Sequence, residues 1–119
     1  MNKILLVGRL VRDPELKTFN EGEKVAAKFI IAVNRNYREA NGERKADFIP
    51  VSIWGKRAEF ICSNLKKGSL VTISGRLRTS SYEDNEGKKR YVYEVVGEDF
   101  KFSEVPKRLE EDLENTSEA

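Results

Sequence analysis

The segment NRNYREANGERKADFIPVSIWG, residues 34–55, combines aromatic and basic residues around an Asn-Gly turn. Its three large rings are Tyr37, Phe48 and Trp54, and its basic residues are Arg35, Arg38, Arg44 and Lys45. Flat rings stack on unpaired nucleic-acid bases, and Arg and Lys attract phosphates. A hydrophobic core would exclude these cations, and a plain surface loop does not need the rings. The combination favours a surface that binds single-stranded nucleic acid.

The same segment also allows a purely structural interpretation that involves no binding. Trp54 could close one end of a barrel or fill a contact between subunits, and the basic residues could form an ordinary solvated loop. Glu39, Glu43 and Asp47 offset much of their positive charge. The joint occurrence of rings and cations is what favours binding.

Catalytic chemistry has few candidate residues in this chain. It contains no His and one Cys, Cys62, and it lacks the phosphate-binding Gly-x-x-x-x-Gly-Lys-Ser/Thr loop. Carboxylates such as Glu94 and Glu98 could bind Mg²⁺, but they show no convergent pattern. We therefore expect a protein that is not an enzyme, with no catalytic residues, no metal site and no cofactor.

Composition and charge indicate one basic domain followed by an acidic tail. At 119 residues the chain is long enough for a single core. Residues 1–102 carry 20 Lys and Arg against 14 Asp and Glu, a balance of +6, whereas residues 103–119 carry 2 against 6. We expect a folded domain over residues 1–102. Residues 103–119 are expected to form an acidic tail that is disordered or at most contains a short solvated helix after Pro106.

The chain shows no targeting or membrane signal. No apolar run approaches the roughly 20 residues that span a bilayer, and the first residues lack a cleavable signal pattern. A lone Cys agrees with a reducing compartment. We expect a cytoplasmic, nucleoid-associated protein that does not contact membranes.

Hydrophobic alternation predicts strands through most of the body. Residues 4–7 are continuously apolar, which predicts a strand covered on both faces, and residues 16–19 predict a short strand. In residues 25–33 the odd positions are apolar and should face the core. After a hairpin turn at Asn41-Gly42, the odd positions of residues 49–53 should also face inward. Phe48 and Trp54 must then point outward.

One helix is expected over residues 56–68. Ala58, Ile61, Cys62 and Leu65 form an apolar stripe, and Cys62 is most simply a small buried residue. Lys66 and Lys67 are predicted to lie in the last turn, before Gly68 ends the helix.

The next strand alternates again. Val71, Ile73 and Leu77 are expected to face inward, Gly75 to allow a bend or a close backbone approach, and Arg76 and Arg78 to face outward. A hairpin then leads to a last strand over residues 91–96. Alternation does not show which side chains of this strand face inward.

Five main strands with a helix between the third and fourth are typical of an all-β, Greek-key barrel of the oligonucleotide-binding (OB) type. Its outer surface would combine Phe48 and Trp54 with the outward-facing Arg76 and Arg78. Duplex DNA hides the base faces that stack on rings, so this surface should prefer single strands.

Four separated segments also resemble the bacterial single-stranded-DNA-binding proteins. They are NKILLVGRLVRDPEL at 2–16, DFIPVSIWGKRAE at 47–59, LKKGSLVTISGRLRT at 65–79 and the hairpin at 82–91. The resemblance implies stacking aromatics at Tyr37, Phe48, Trp54 and Tyr82. It implies basic contacts at Lys3, Lys56, Lys67 and Arg78, to which position and parity add Arg35, Arg38 and Arg76.

The resemblance also implies function and partners. It implies sequence-independent binding and protection of single-stranded DNA in replication, recombination or repair, and a homotetramer formed by pairing of N-terminal strands. Long-tailed members end in an acidic tip with apolar residues that recruits replication and repair enzymes. This tail lacks that tip, which leaves such partners open. The alternative function is an OB-fold protein-interaction module, such as a primosome assembly component.

Overall fold

The computed structural model describes residues 1–36, 40–42 and 44–103, which form six strands and one α-helix. In chain order the elements are β1 (Ile4–Leu10), β2 (Glu15–Phe19), β3 (Lys24–Asn34), β4 (Ala46–Trp54), α1 (Arg57–Asn64), β5 (Leu70–Glu83) and β6 (Lys89–Ser103). A short 3-10 turn, Asn20–Gly22, joins β2 to β3.

Five of the strands close into a barrel. The strand order is β1-β5-β6-β4-β3, and a short pairing of β1 with β3 completes the ring. All of these pairings are antiparallel except that of β4 with β6. β2 pairs with the other end of β3 and extends the sheet beyond the ring. The helix lies between the third and fourth barrel strands, so the prediction of an OB-type barrel is confirmed.

The core follows the predicted alternation in β3 and β4. Ala27, Phe29 and Ile31 of β3 are buried, as are Val51 and Ile53 of β4. The helix packs the buried Ala58 and Ile61 against the core, and Leu65, just after the helix, is also buried; Cys62 packs against the core and stays partly exposed. With these side chains packed inward, residues of the opposite orientation such as Phe48 form the outer face.

The helix is shorter than the sequence predicts. It ends at Asn64, because Leu65 adopts an extended backbone. Lys66 and Lys67 therefore lie beyond the helix, and their predicted place in its last turn is wrong. The backbone N–H of Lys67 donates to Asp13 Oδ1 at 2.8 Å, and that of Gly68 donates to Leu10 O at 2.9 Å. These bonds tie the segment back to the end of β1.

Two predictions of burial are also wrong. In β1, Leu5 and Val7 are 71% and 52% exposed, so the strand is covered on one face and open on the other. Leu77 is 39% exposed, because β5 continues past the barrel at this point. In the barrel ring, β1 pairs with β5 only as far as Gly75.

The β5–β6 hairpin changes register at Gly75. A Cβ at this position would lie 2.1 Å from the Val96 carbonyl oxygen, so only glycine fits, and the predicted close backbone approach is confirmed. The register shift between Ser74 and Gly75 interrupts strict alternation. The adjacent Val95 and Val96 are both buried, so alternation alone could not assign the inner face of β6. Beyond the barrel the hairpin continues as a two-stranded ribbon.

Candidate nucleic-acid interface

Strand β4 places two of the predicted rings on the outer face of the barrel. Phe48 and Trp54 lie on the opposite side from Val51 and Ile53, as the alternation predicts. Phe48 is 67% exposed. The two residues are six positions apart in the sequence, which corresponds to roughly 20 Å along an extended strand. Both rings therefore belong to one face but are separate contact points.

Trp54 is half-buried and held in one orientation. Its indole N–H donates to Ser52 Oγ at 3.1 Å, and the Ser52 side chain is fully buried. Ala26 lies opposite Trp54 on β3 and is also buried. The ring of Phe19 lies 5.2 Å away at an angle of 32°. The indole thus forms a fixed platform on the barrel wall, and its predicted outward orientation is confirmed.

Two arginines of β5 lie beside this platform. Arg76 and Arg78 are exposed and line, with Phe19 and Trp54, an open groove with a volume of about 730 Å³. The guanidinium carbon of Arg78 lies 5.9 Å from the centre of the Trp54 ring, within the range of a cation–π contact. This groove brings a ring and two cations together where the sequence predicts them.

Tyr82 projects from the same side of the ribbon as Arg78. It is 56% exposed and pairs with Arg90 across the ribbon. The turn beyond it is held by Asp84, whose carboxylate accepts hydrogen bonds from the backbone of Lys88 and of Glu86 and from the Arg90 side chain. The Lys88 backbone bond, followed by the Arg90 bond, lowers the pKa of Asp84 from its usual value. Asp84 therefore stabilises the turn at the end of the ribbon that carries Tyr82.

The other basic residues that the sequence predicts as DNA contacts lie at separate places around the barrel. Lys56 is exposed at the start of α1 and lies next to Gly55, which lines the Trp54 groove. Arg35 donates to Asp47 Oδ1 through Nε at 3.1 Å and through Nη2 at 2.9 Å, so part of its charge is already neutralised. Lys3 and Lys67 are exposed outside that groove. Tyr37 and Arg38 lie outside the described residues.

The structure adds Phe19 and Lys28, which sequence reasoning missed. Phe19 is 38% exposed, and the Lys28 ammonium lies 5.8 Å from its ring centre. Phe19 pairs with Lys24 of β3 and so shares the face of Trp54. The even-numbered residues of β3 lie on the face of Trp54, so the pairing of Phe19 with Lys24 assigns Phe19 to that face. The sequence alone does not show this pairing.

Features that would indicate other functions are limited. Burial raises the pKa of the Cys62 thiol, which disfavours the reactive thiolate at neutral pH. Within the described ranges no three His, Cys, Asp or Glu side chains cluster as metal ligands. Those ranges also contain no helix of the length and apolarity needed to cross a membrane.

Comparison with known proteins identifies the family. The model of the single-strand binding protein family matches residues 1–103. The chain is 49% identical over 107 residues to single-stranded DNA-binding protein 1 of Clostridium acetobutylicum, an alignment that covers 90% of this chain and 97% of that protein. It is 46% identical over 115 residues to single-stranded DNA-binding protein 1 of Staphylococcus aureus, covering 97% of this chain and 72% of that protein. The chain therefore belongs to the single-strand binding protein family.

Proposed function

We propose that this chain binds single-stranded DNA without marked sequence preference and protects it during replication, recombination or repair. The observation that carries this proposal is the shared outer face on which Phe48, Trp54, Arg76 and Arg78 lie. The names of its relatives support the same substrate.

Two physical terms provide the binding. Exposed rings stack on bases, a contact of about 1–3 kcal/mol per base that tolerates every base because each has a π-face. Arg and Lys neutralise phosphates and release counterions, so affinity falls as salt rises. Each phosphate contact contributes about 0.7 to the steepness of log K against log salt. In a duplex the base faces are covered by their neighbours. The stacking term is then lost, and single strands bind more tightly.

The proposed contact residues differ in how well the geometry supports them. The strongest set is Phe48, Trp54, Arg76, Arg78 and Tyr82, which share an outer face or the ribbon that continues from it. Lys56 adjoins the groove, whereas Lys3, Lys67 and Arg35 lie apart and would contact DNA only if the strand wraps around the barrel. Tyr37 and Arg38 remain proposals from sequence alone.

A mobility-shift titration tests this function. Labelled oligo-dT should shift at moderate salt, whereas a duplex of equal length should shift only at much higher protein concentration, although it carries more phosphate charge. Binding of both with equal affinity would contradict a stacking contribution. Absence of binding to either would overturn the proposal and favour the protein-interaction module instead.

We also propose that binding involves no catalytic step, no metal and no other cofactor. Incubating labelled single strands with the protein and Mg²⁺ should leave them intact. Any cleavage that depends on the protein would contradict this. A cytoplasmic, nucleoid-associated location follows from the proposed substrate.

We further propose that copies of the chain associate, as the family resemblance implies for a homotetramer. One edge of β1, residues 4–8, pairs with β5, while the other edge has no strand partner among the described residues. The exposed Leu5 and Val7 lie on the same segment. An open strand edge beside exposed aliphatic groups favours pairing with a second copy. Light scattering should give four subunits, and Leu5→Glu should lower the measured mass, whereas a monomeric wild-type protein would contradict this.

A further inference from the structure

A carboxylate lies in the middle of the proposed DNA-binding face. Glu94 of β6 pairs with Arg78 across the ribbon, and its side chain is only 13% exposed. Its Oε1 lies 3.1 Å from Arg78 Nη2, and its Oε2 lies 3.9 Å from Lys28 Nζ. A carboxylate repels phosphate, and its near-burial is costly without charged partners. Its position therefore calls for an explanation beyond an ordinary surface ion pair.

Each partner of Glu94 also contacts a ring. Arg78 lies 5.9 Å from the centre of Trp54, and Lys28 lies 5.8 Å from the centre of Phe19. The two rings are themselves 5.2 Å apart. The five side chains thus form a closed network in which each cation lies between the shared carboxylate and one ring.

We propose that Glu94 is a positioning residue of the DNA-binding face, which holds Arg78 against Trp54 and Lys28 against Phe19. This inference rests on the proposed function. Long basic side chains adopt many rotamers, and an ion pair with one nearly buried carboxylate favours the arrangement that keeps both cations beside it. The carboxylate also neutralises one of the two positive charges. The network then presents two oriented cation–ring pairs with a net charge of +1.

Glu94 affects both the position of the two cations and the net charge of the network, and two substitutions test these effects separately. Glu94→Asp keeps the charge but shortens the side chain by one methylene, so it should no longer hold both cations. Glu94→Gln keeps the length but removes the charge. Asp99→Asn is the matched control, since Asp99 lies further along β6, is 91% exposed and is 4.0 Å from Arg57.

The first readout is the fluorescence of the protein without DNA. Trp54 is the single tryptophan of the chain, so the emission reports on one site. Both Glu94 variants should change the intensity or wavelength of emission, because Arg78 is no longer held over the indole. Asp99→Asn should leave the emission unchanged. A merely structural ion pair would lower thermal stability without this change.

The second readout is the salt dependence of oligo-dT binding. Glu94→Gln leaves one more cation free to neutralise phosphate, so the slope of log K against log salt should steepen by about 0.7. Glu94→Asp should keep the wild-type slope. Asp99→Asn should change it much less than Glu94→Gln, because charges separated by more than about 10 Å are largely screened at 0.1 M salt.

The inference is overturned if both Glu94 variants emit like the wild type, or if the slope of Glu94→Gln matches that of Asp99→Asn. If Glu94→Gln does not fold, Arg78→Gln provides the test from the other side of the ion pair. It should change the emission in the same direction as Glu94→Asp, and unchanged emission would overturn the inference. Tight binding of oligo-dT by the wild type together with unaltered Glu94 variants would leave the proposed function standing. If the wild type does not bind oligo-dT, the proposed function is overturned. The Trp54 emission of the Glu94 variants without DNA then still tests whether Glu94 positions Arg78.

Discussion

Replacing Phe48 with alanine isolates the stacking contribution. The ring is 67% exposed, so its removal takes little packing from the core, and we expect the free energy of unfolding to change by no more than about 0.5 kcal/mol. Loss of one stacked base should cost about 1–3 kcal/mol of binding. This corresponds to a fall in affinity for oligo-dT of about 5- to 150-fold. Because the phenyl ring is uncharged, the salt slope should stay the same.

The matched control is Phe60→Ala, the same substitution on the helix. Phe60 is 47% exposed, but its ring packs against Phe100 and Phe102 at 6.4 and 5.7 Å. This variant should lose thermal stability and keep its affinity. Both variants are measured by mobility shift at three or more salt concentrations, with thermal unfolding in parallel. If Phe48→Ala binds like the wild type, or if Phe60→Ala loses as much affinity, the assignment of the outer face is refuted.

Three further predictions test the scaffold. Gly75→Ala should lower the melting temperature by at least about 4 °C, because its Cβ would overlap the Val96 carbonyl oxygen; an unchanged value would contradict the close approach. Because the pKa of Asp84 is lowered in the folded state, its stabilising effect is present above its usual pKa and is lost as the pH falls through the lowered pKa. Asp84→Ala should accordingly speed amide exchange in the turn at pH 7 but not in strong acid, and equal rates at pH 7 would exclude this role. Cys62 should react with thiol reagents much more slowly in the native than in the denatured protein at pH 8, and equal rates would exclude its partial burial.

Local alternation was sufficient to predict the outer face of β4. Apolar residues at odd positions assign Val51 and Ile53 to the core, and the opposite orientation of Phe48 and Trp54 follows from the two-residue period. The same reasoning failed for Leu77, because alternation does not reveal where β5 leaves the barrel. It also failed for the outer face of β1, since an apolar run does not show which of its faces the fold covers.

Features that depend on pairing between distant strands were beyond sequence reasoning. Phe19 joins Trp54 only through the pairing of β2 with β3, and its ring gives no periodic signal of its own. Glu94 of β6 meets Lys28 of β3 because β4 pairs with both strands and brings the two residues to one face. The segment after the helix is held by hydrogen bonds from Lys67 to Asp13 and from Gly68 to Leu10, residues more than 50 positions away in the sequence.

Fluorescence of Trp54 during titration with oligo-dT tests the central claim most directly. The indole lies on the proposed DNA path and is the single tryptophan, so stacking of a base must alter its emission. We predict substantial quenching by oligo-dT at moderate salt and little change with a duplex of equal length. Tight binding of oligo-dT that leaves the emission unchanged would contradict the claim that bases stack at this face.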